Sequence, residues 1–405
     1  MPGAPASSDA ARHQLARRLN AAVGRLEDAA PPMVVVDLDA FDANAADLER
    51  RAAGKPIRVA SKSLRIPALL ERALARPGFS GVLGYTLREA LWLVRQGLSD
   101  DVVMGYPTVD RGALRELLAD ENARSAITLM VDNPAHLSLI EASGAAAGVR
   151  VAIDIDAGLR LGRSHVGPKR SPLHDAPEVL GFAQEVIGRG YALVGVMTYE
   201  GQVAGLADDV PNARAKSLIV RKLKSASVTQ LDERRRAIDR DLRRLVELEF
   251  WNAGGSGSVE TTVADPVVTE VAAGSGLLVP GLFDHYQSFE PHPAAFYGLQ
   301  VVRRPGGGLV TAAGGGFIAS GPTGKDRSPV PWAPPDLHLT GLEGAGEVQT
   351  PLSGSGARLL QIGDWVWFRH AKSGELAEHT NQVHLLSGEA FVDTVPSYRG
   401  LGLAW

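Results

Sequence analysis

The chain of 405 residues has no cysteine, which excludes disulfides, thiolate metal sites and thiol nucleophiles and leaves the redox compartment undecided. It has no uninterrupted apolar run near the length of about 18 residues that a membrane span requires, so no membrane association is expected. It also lacks an excess of either charge. Forty-two Lys and Arg stand against 46 Asp and Glu, a formal charge of −4, and nothing points to a nucleic-acid partner. The N-terminal stretch MPGAPASSDAARHQLARRLNAA has no apolar core of a secretory signal, and Asp9, Glu27 and Asp28 argue against a transit peptide. The expected location is cytoplasmic. What is present is an apolar content of 45%, enough for a sizeable core in a chain of two-domain length.

Short apolar runs alternate with helical periodicity over most of the chain. An amphipathic helix is expected at 9–28, with Leu15, Leu19, Val23 and Leu26 on one face. Residues 33–36 read as a strand. Eight further strands follow at 57–60, 81–85, 102–105, 127–131, 149–155, 193–197, 249–252 and 269–272, with helices between them. Thr86 with Glu89 three residues later reads as a capping box. Two long helical stretches are expected within 212–247. The second holds Arg234, Arg235, Arg236, Asp239, Arg240 and Asp241, read as a solvated outer face. Eight strands in this rhythm predict a (β/α)₈ TIM-type barrel, preferred to an open sheet because the first βα turn has no GxGxxG.

After about residue 289 the helical period disappears and short strands at 298–302, 309–312, 365–370 and 382–386 predict a small all-β domain. The segment 320–340, rich in Pro and Gly, reads as a loop near the domain junction, ordered or disordered. The expected division is therefore a helical extension at 1–30, a barrel at 31–288 and a β domain at 289–405, with strand 33–36 open to either.

In such barrels chemistry sits at the C-terminal ends of the strands. After the first strand stands Lys62, an amine placed at a partly desolvated rim where it could form a Schiff base; an ordinary solvated lysine is the alternative. After the fifth comes Asp154-Ile155-Asp156-Ala157-Gly158-Leu159-Arg160-Leu161-Gly162, and after the sixth Thr198-Tyr199-Glu200-Gly201-Gln202. The seventh ends in Gly254-Gly255-Ser256-Gly257-Ser258 and the eighth in Gly274-Ser275-Gly276. Glycine turns expose successive amides, and serines add donors, so the last two read as a phosphate cup. An amine facing a phosphate cup across a barrel mouth is the arrangement that pyridoxal 5'-phosphate requires.

DIDAGLRLG resembles the D-T-G-x-x-R-x-G element of fold-type III pyridoxal-phosphate enzymes, the alanine racemase type. VVVDLDAFDANAADL, ASKSLR, AGGSGS and VTAAGGGFIASG extend the resemblance, which is strongest to the D-threonine aldolase and D-serine dehydratase branch. The resemblance implies that Lys62 carries the cofactor and acts as a base at Cα, and that Arg160 faces the pyridine nitrogen. It also implies that Tyr199 lies beside the ring and that Gly255, Ser256, Gly257, Ser275 and Gly276 hold the phosphate. From the residues alone, a salt bridge from Arg160 to Asp154 or Asp156 is equally open.

Two departures stand out. Metal-dependent relatives carry a His-x-Cys or His-x-Asp pair where this chain has His370-Ala371-Lys372. Residues i and i+2 of a strand share a face, so His370 and Lys372 are expected to project together and contact substrate, and a divalent metal is doubtful. Gln202 stands where aldolases of the branch have a histidine, and is a third expected substrate contact. The expected function is a pyridoxal-phosphate lyase or deaminase of aldolase or dehydratase type. It would act at Cα–Cβ of a small D- or β-hydroxy amino acid through a Schiff base, in a homodimer. A racemase is the alternative, and a non-catalytic cofactor-binding protein a further one.

Overall fold

The structure, a computed structural model, describes residues 8–162, 164–210, 213–287 and 292–405. The expected domain boundary at 288–289 and the first residues of the N-terminal extension lie outside the described residues.

Eight parallel strands close into a barrel: β1 (Ile57–Ala60), β2 (Phe79–Gly84), β3 (Val102–Met104), β4 (Ile127–Val131), β5 (Arg150–Asp154), β6 (Ala192–Thr198), β7 (Phe250–Ala253) and β8 (Glu270–Ala273). β4 is buried along its whole length, because one face meets the barrel interior and the other the helix layer. One polar group crosses this interior. Arg58 of β1 donates to both carboxylate oxygens of Glu270 in β8 at 2.7 and 2.8 Å, and Asn252 of β7 donates to Glu270 Oε1 at 2.8 Å. Arg58 and Glu270 thus pair with each other, as burial demands.

The helices follow their caps. Pro67 opens Pro67–Leu74, and the Thr86 hydroxyl accepts the Glu89 amide at 3.2 Å ahead of Leu87–Arg95. The Glu89 carboxylate does not return to Thr86. It accepts the Tyr85 amide at 2.9 Å and the Tyr398 hydroxyl of the β domain at 2.9 Å, and burial pushes its pKa up to about 7. The two stretches expected within 212–247 are one helix of 29 residues, Arg214–Leu242, since no glycine or proline interrupts it.

Strand Met33–Asp37 does not enter the barrel. It pairs antiparallel with Ala295–Gly306 and parallel with Gln382–Ser387, inside a nine-stranded sheet that also contains Leu309–Ala313 and Trp365–Arg369. The N-terminal helix Asp9–Val23 packs Leu19, Ala22 and Val23 against Val35, Phe296 and Trp367 of this sheet. The sheet is tied to the barrel mouth: Gly281 and Leu282, just after β8, donate amides to the carbonyls of His370 and Ala371 at 3.0 and 3.1 Å. Among the described residues no helix is long and apolar enough to cross a membrane.

Candidate active site

β1 ends at Ala60 and the chain turns through Ser61–Ser63, which lifts Lys62 to the barrel mouth. There it lines a cavity of about 320 Å³. Its Nζ donates to the Tyr106 hydroxyl at 2.8 Å. Tyr106 follows β3 as Lys62 follows β1. Burial opposes ionisation of the Tyr106 hydroxyl, yet the Lys62 charge and hydrogen bond, helped by Arg170, outweigh it and hold its pKa below the usual tyrosine value. Tyr199, after β6, lines the same cavity, and burial pushes its pKa up against the pull of Lys62 and Arg170. The Arg170 guanidinium lies 5.6 Å from the Tyr106 ring and 5.2 Å from the Tyr199 ring.

The wall next to Lys62 and Tyr199 is built by the turns after β7 and β8, since β8 pairs with β1 and β7 with β6. Ser256 Oγ accepts the Gly276 amide at 2.9 Å and the Gly274 amide at 3.3 Å, so one hydroxyl joins the two turns and keeps its own proton to donate. Ser63 and Ser275 exchange a hydrogen bond at 3.0 Å. Gly255, Ser256 and Ser275 face the cavity. Gly257 and Gly276 stand behind them for close packing: a Cβ on Gly257 would lie 2.2 Å from the Ala204 carbonyl, and one on Gly276 2.9 Å from Ser256 Cβ.

This wall is braced by a residue read from sequence as solvated. Arg235 is buried, at 2% exposure. It donates to Thr198 Oγ1 at 3.0 Å and to Glu200 Oε2 at 3.1 Å, and lies 3.4 Å from Asp265. Glu200 in turn accepts the Gly254 amide at 3.1 Å and the Thr262 hydroxyl at 2.5 Å. The expected outer face therefore fails for Arg235, which turns inward toward the end of β6, and for Arg234, whose guanidinium is tucked against His174, while Arg236 and Arg240 remain exposed.

Besides Gly257 and Gly276, three expected site residues do not line the cavity. Past Asp156 the chain swings outward into a hairpin, Leu159–Leu161 with Ser164–Val166, held by His165 Nε2 at 2.9 Å and the Gly158 amide at 2.8 Å on the Asp156 carboxylate. Arg160 goes with it: its side chain is 44% exposed and lies 3.5 Å from Asp156, the salt bridge that the residues alone had left open. Arg170, on the return of the same loop, lines the cavity instead. Gln202 donates to the Ala157 carbonyl at 2.7 Å and is buried behind this loop. His370 and Lys372 part company because the strand ends at Arg369 and alternation ends with it. Lys372 lines the cavity, donating to Ser320 Oγ at 2.7 Å, whereas His370 is buried against Val36, Leu64 and Leu278 with Nε2 3.1 Å from Ser373 Oγ. Sequence reasoning missed Tyr106, Arg170 and Arg327, all of which line the cavity. For Tyr106 the signal was available, since it directly follows the third expected strand.

Burial, with Arg369 beside it, lowers the His370 pKa to about 3. Its folded value lies below the unfolded one, so the stability it contributes is complete above about pH 6.5 and is lost as pH falls toward 3. Between pH 7 and pH 5 wild type should lose about 2 kcal/mol that a His370→Gln variant does not lose. Urea midpoints of both proteins at the two pH values check this; parallel losses would show that His370 is not the group responsible.

The chain matches the family described as "Alanine racemase, N-terminal domain" over residues 36–287. It is 27% identical over 255 residues to a D-threonine aldolase of Arthrobacter sp; the match covers 62% of this chain and only 61% of that relative. Its fold is similar to the crystal structure of D-threonine aldolase from Filomicrobium marinum, with TM-score 0.74 and 19% identity over 92% of this chain and 95% of that one. It is also similar to D-threo-3-hydroxyaspartate dehydratase from Delftia sp. HT23, with TM-score 0.71 and 20% identity over 93% and 98% of the two chains. The closed eight-stranded barrel, the all-β sheet over its mouth and the profile match across the barrel together make this chain a member of the alanine racemase N-terminal domain family.

Proposed function

We propose that this chain is a pyridoxal-phosphate-dependent lyase that cleaves a bond at Cα or Cβ of a small amino acid, of aldolase or dehydratase type. One observation carries the reading: a lysine amine and a cradle of neutral donors line one cavity at the mouth of an alanine-racemase-type barrel. The residues fit the cofactor. Ser63, Ser256 and Ser275 supply hydroxyls to a phosphate. Glycine lets these turns pack closely on the cavity wall: a Cβ on Gly255 would come 3.1 Å from Ala204 Cβ, and one on Gly274 2.6 Å from the Ala60 carbonyl. Similarity to the Arthrobacter aldolase supports the reaction class.

Pyridoxal phosphate, when bound, withdraws electrons from the Cα of an amino acid joined to its aldehyde and so weakens the bonds there. The chain's own residues would do the rest. Lys62 holds the cofactor and, once released, moves the proton at Cα. Tyr106, hydrogen-bonded to the same amine, steers its lone pair and shares its proton. Arg170, stacked between the Tyr106 and Tyr199 rings, takes the part that the resemblance implied for Arg160, a fixed cation beside the ring system. A racemase needs a second base on the far side of Cα. Tyr106, which stands on the Lys62 amine, is not placed to be that base, so the racemase reading would have to draw on Tyr199 or Tyr286, which also line the cavity.

Wild-type protein loaded with the cofactor should show a near-visible absorption band, and small β-hydroxy amino acids should yield an aldehyde with glycine, or a 2-oxo acid with ammonia. Racemised substrate with neither product set would reject the lyase reading. Tyr106→Phe should keep the band and lose about tenfold or more in kcat.

A further inference from the structure

We propose that the cavity selects an amino acid whose side chain ends in a second anion, a carboxylate or a phosphate, held at the mouth by Arg327 and Lys372. This rests on the function proposed above and narrows it to a substrate class.

Among the described residues, the cavity is lined by four cations, Lys62, Arg170, Arg327 and Lys372, and by no carboxylate. Two of the four have work inside the site. Lys62 is the cofactor amine. Arg170 stacks on two tyrosine rings and has Asp132 and Asp154 in the recess behind it. The cradle for the cofactor phosphate consists of hydroxyls and glycine turns, so it draws on neither of the others.

Arg327 and Lys372 both come from the β domain, in turns outside its strands. The Arg327 Nε is buried with no acceptor among the described residues. The carboxylate paired with this guanidinium, Asp326, is 3.7 Å away and 59% exposed, too far for a hydrogen bond. Gly321, at φ +119°, packs against this guanidinium: a Cβ there would meet Nε at 3.1 Å, so glycine is needed for the guanidinium to sit where it does. Lys372 is exposed, and its Nζ is anchored on Ser320 Oγ at 2.7 Å. Glu375 accepts the Ser320 amide at 2.9 Å. Burial opposes its ionisation, but Ser320 and Lys372 outweigh burial and hold its carboxyl below the usual range. Glu375 does not line the cavity and offsets part of the charge of Lys372, while Arg327 has only the long, exposed ion pair with Asp326 among the described residues.

A substrate α-carboxylate neutralises one cation. A part-buried cation whose ion pair is long and solvent-exposed is weakly compensated, and a second anionic group on the ligand would add the charge-assisted hydrogen bonds it lacks. A neutral side chain such as that of threonine would leave the Arg327 guanidinium with no anion nearer than Asp326 among the described residues.

The test uses cofactor-loaded enzyme and probes that lack an amino group, so nothing turns over. Malate supplies a second carboxylate, phosphoglycolate a phosphate, and lactate neither. By titration calorimetry malate or phosphoglycolate should bind wild type at least about tenfold more tightly than lactate. Arg327→Gln and Lys372→Gln should each weaken the preferred dianion about tenfold and lactate less than twofold. Which dianion is preferred identifies the acidic group. Equal binding of all three probes overturns the proposal, as do variants that weaken lactate as much as the dianion or leave the dianion untouched. The near-visible band, recorded on every sample, separates the two levels of the argument. Wild type with the band and without dianion preference loses only the substrate class, whereas wild type that takes up no cofactor loses the proposed function and this inference with it.

Discussion

Lys62→Ala should abolish the near-visible band of cofactor-loaded protein and lower kcat by about four orders of magnitude. Lys62 is the lysine on the barrel wall of the cavity, with its amine on Tyr106 at 2.8 Å, and Lys372 reaches the same cavity only from the β domain at the mouth. Alanine removes both the amine that holds the cofactor and the group that moves the proton, so the two losses should appear together. Borohydride treatment followed by peptide mapping should label Lys62 in wild type and nothing in the variant. A trapped adduct on Lys372 or any other lysine of the variant would show that the amine has been misassigned. The substitution should leave the fold intact, because Lys62 makes no ion pair among the described residues and stands at a rim.

Arg235→Ala should be the most destabilising single change near the site, at about 3–5 kcal/mol. The Arg235 and Glu200 side chains are each 3% exposed and Asp265 is 0% exposed, so deleting the guanidinium strands two carboxylates out of water. The loss should reach the phosphate wall, since Glu200 also holds the Gly254 amide and the Thr262 hydroxyl. Urea unfolding of the variant, with cofactor affinity read from the same samples, measures both effects. Combining Arg235→Met with Glu200→Gln removes one charge of each sign and should recover part of the stability. A single variant that costs less than about 1 kcal/mol would mean that the pair is solvated after all.

The sequence by itself determined the barrel and the place of its chemistry. Strands such as Ile127–Val131 are buried on both faces, so each appears as a short apolar block between turn signals, legible without any neighbour. Lys62 and the glycine-serine turns after β7 and β8 were legible for the same local reason: they directly follow strands, and a barrel sends every strand end to one rim. Even strand 33–36 was recognisable as a strand, although its partners, 259 and more residues away, were not.

Tertiary structure alone decided which side chains face the cavity from loops. Arg160 and Arg170 occupy one loop, and only the hairpin anchored on Asp156 turns the first outward and returns the second. His370 and Lys372 obeyed alternation only as far as the strand lasted, and it stops one residue short of them. Arg235 stands in a charged run whose composition reads as solvated; its burial comes from the end of β6 lying against that turn of the helix. Arg327 arrives from a proline-rich segment with no period to read. In each case the side chain's direction is set by contacts between residues far apart in the chain, and these leave no periodic trace in the sequence around it.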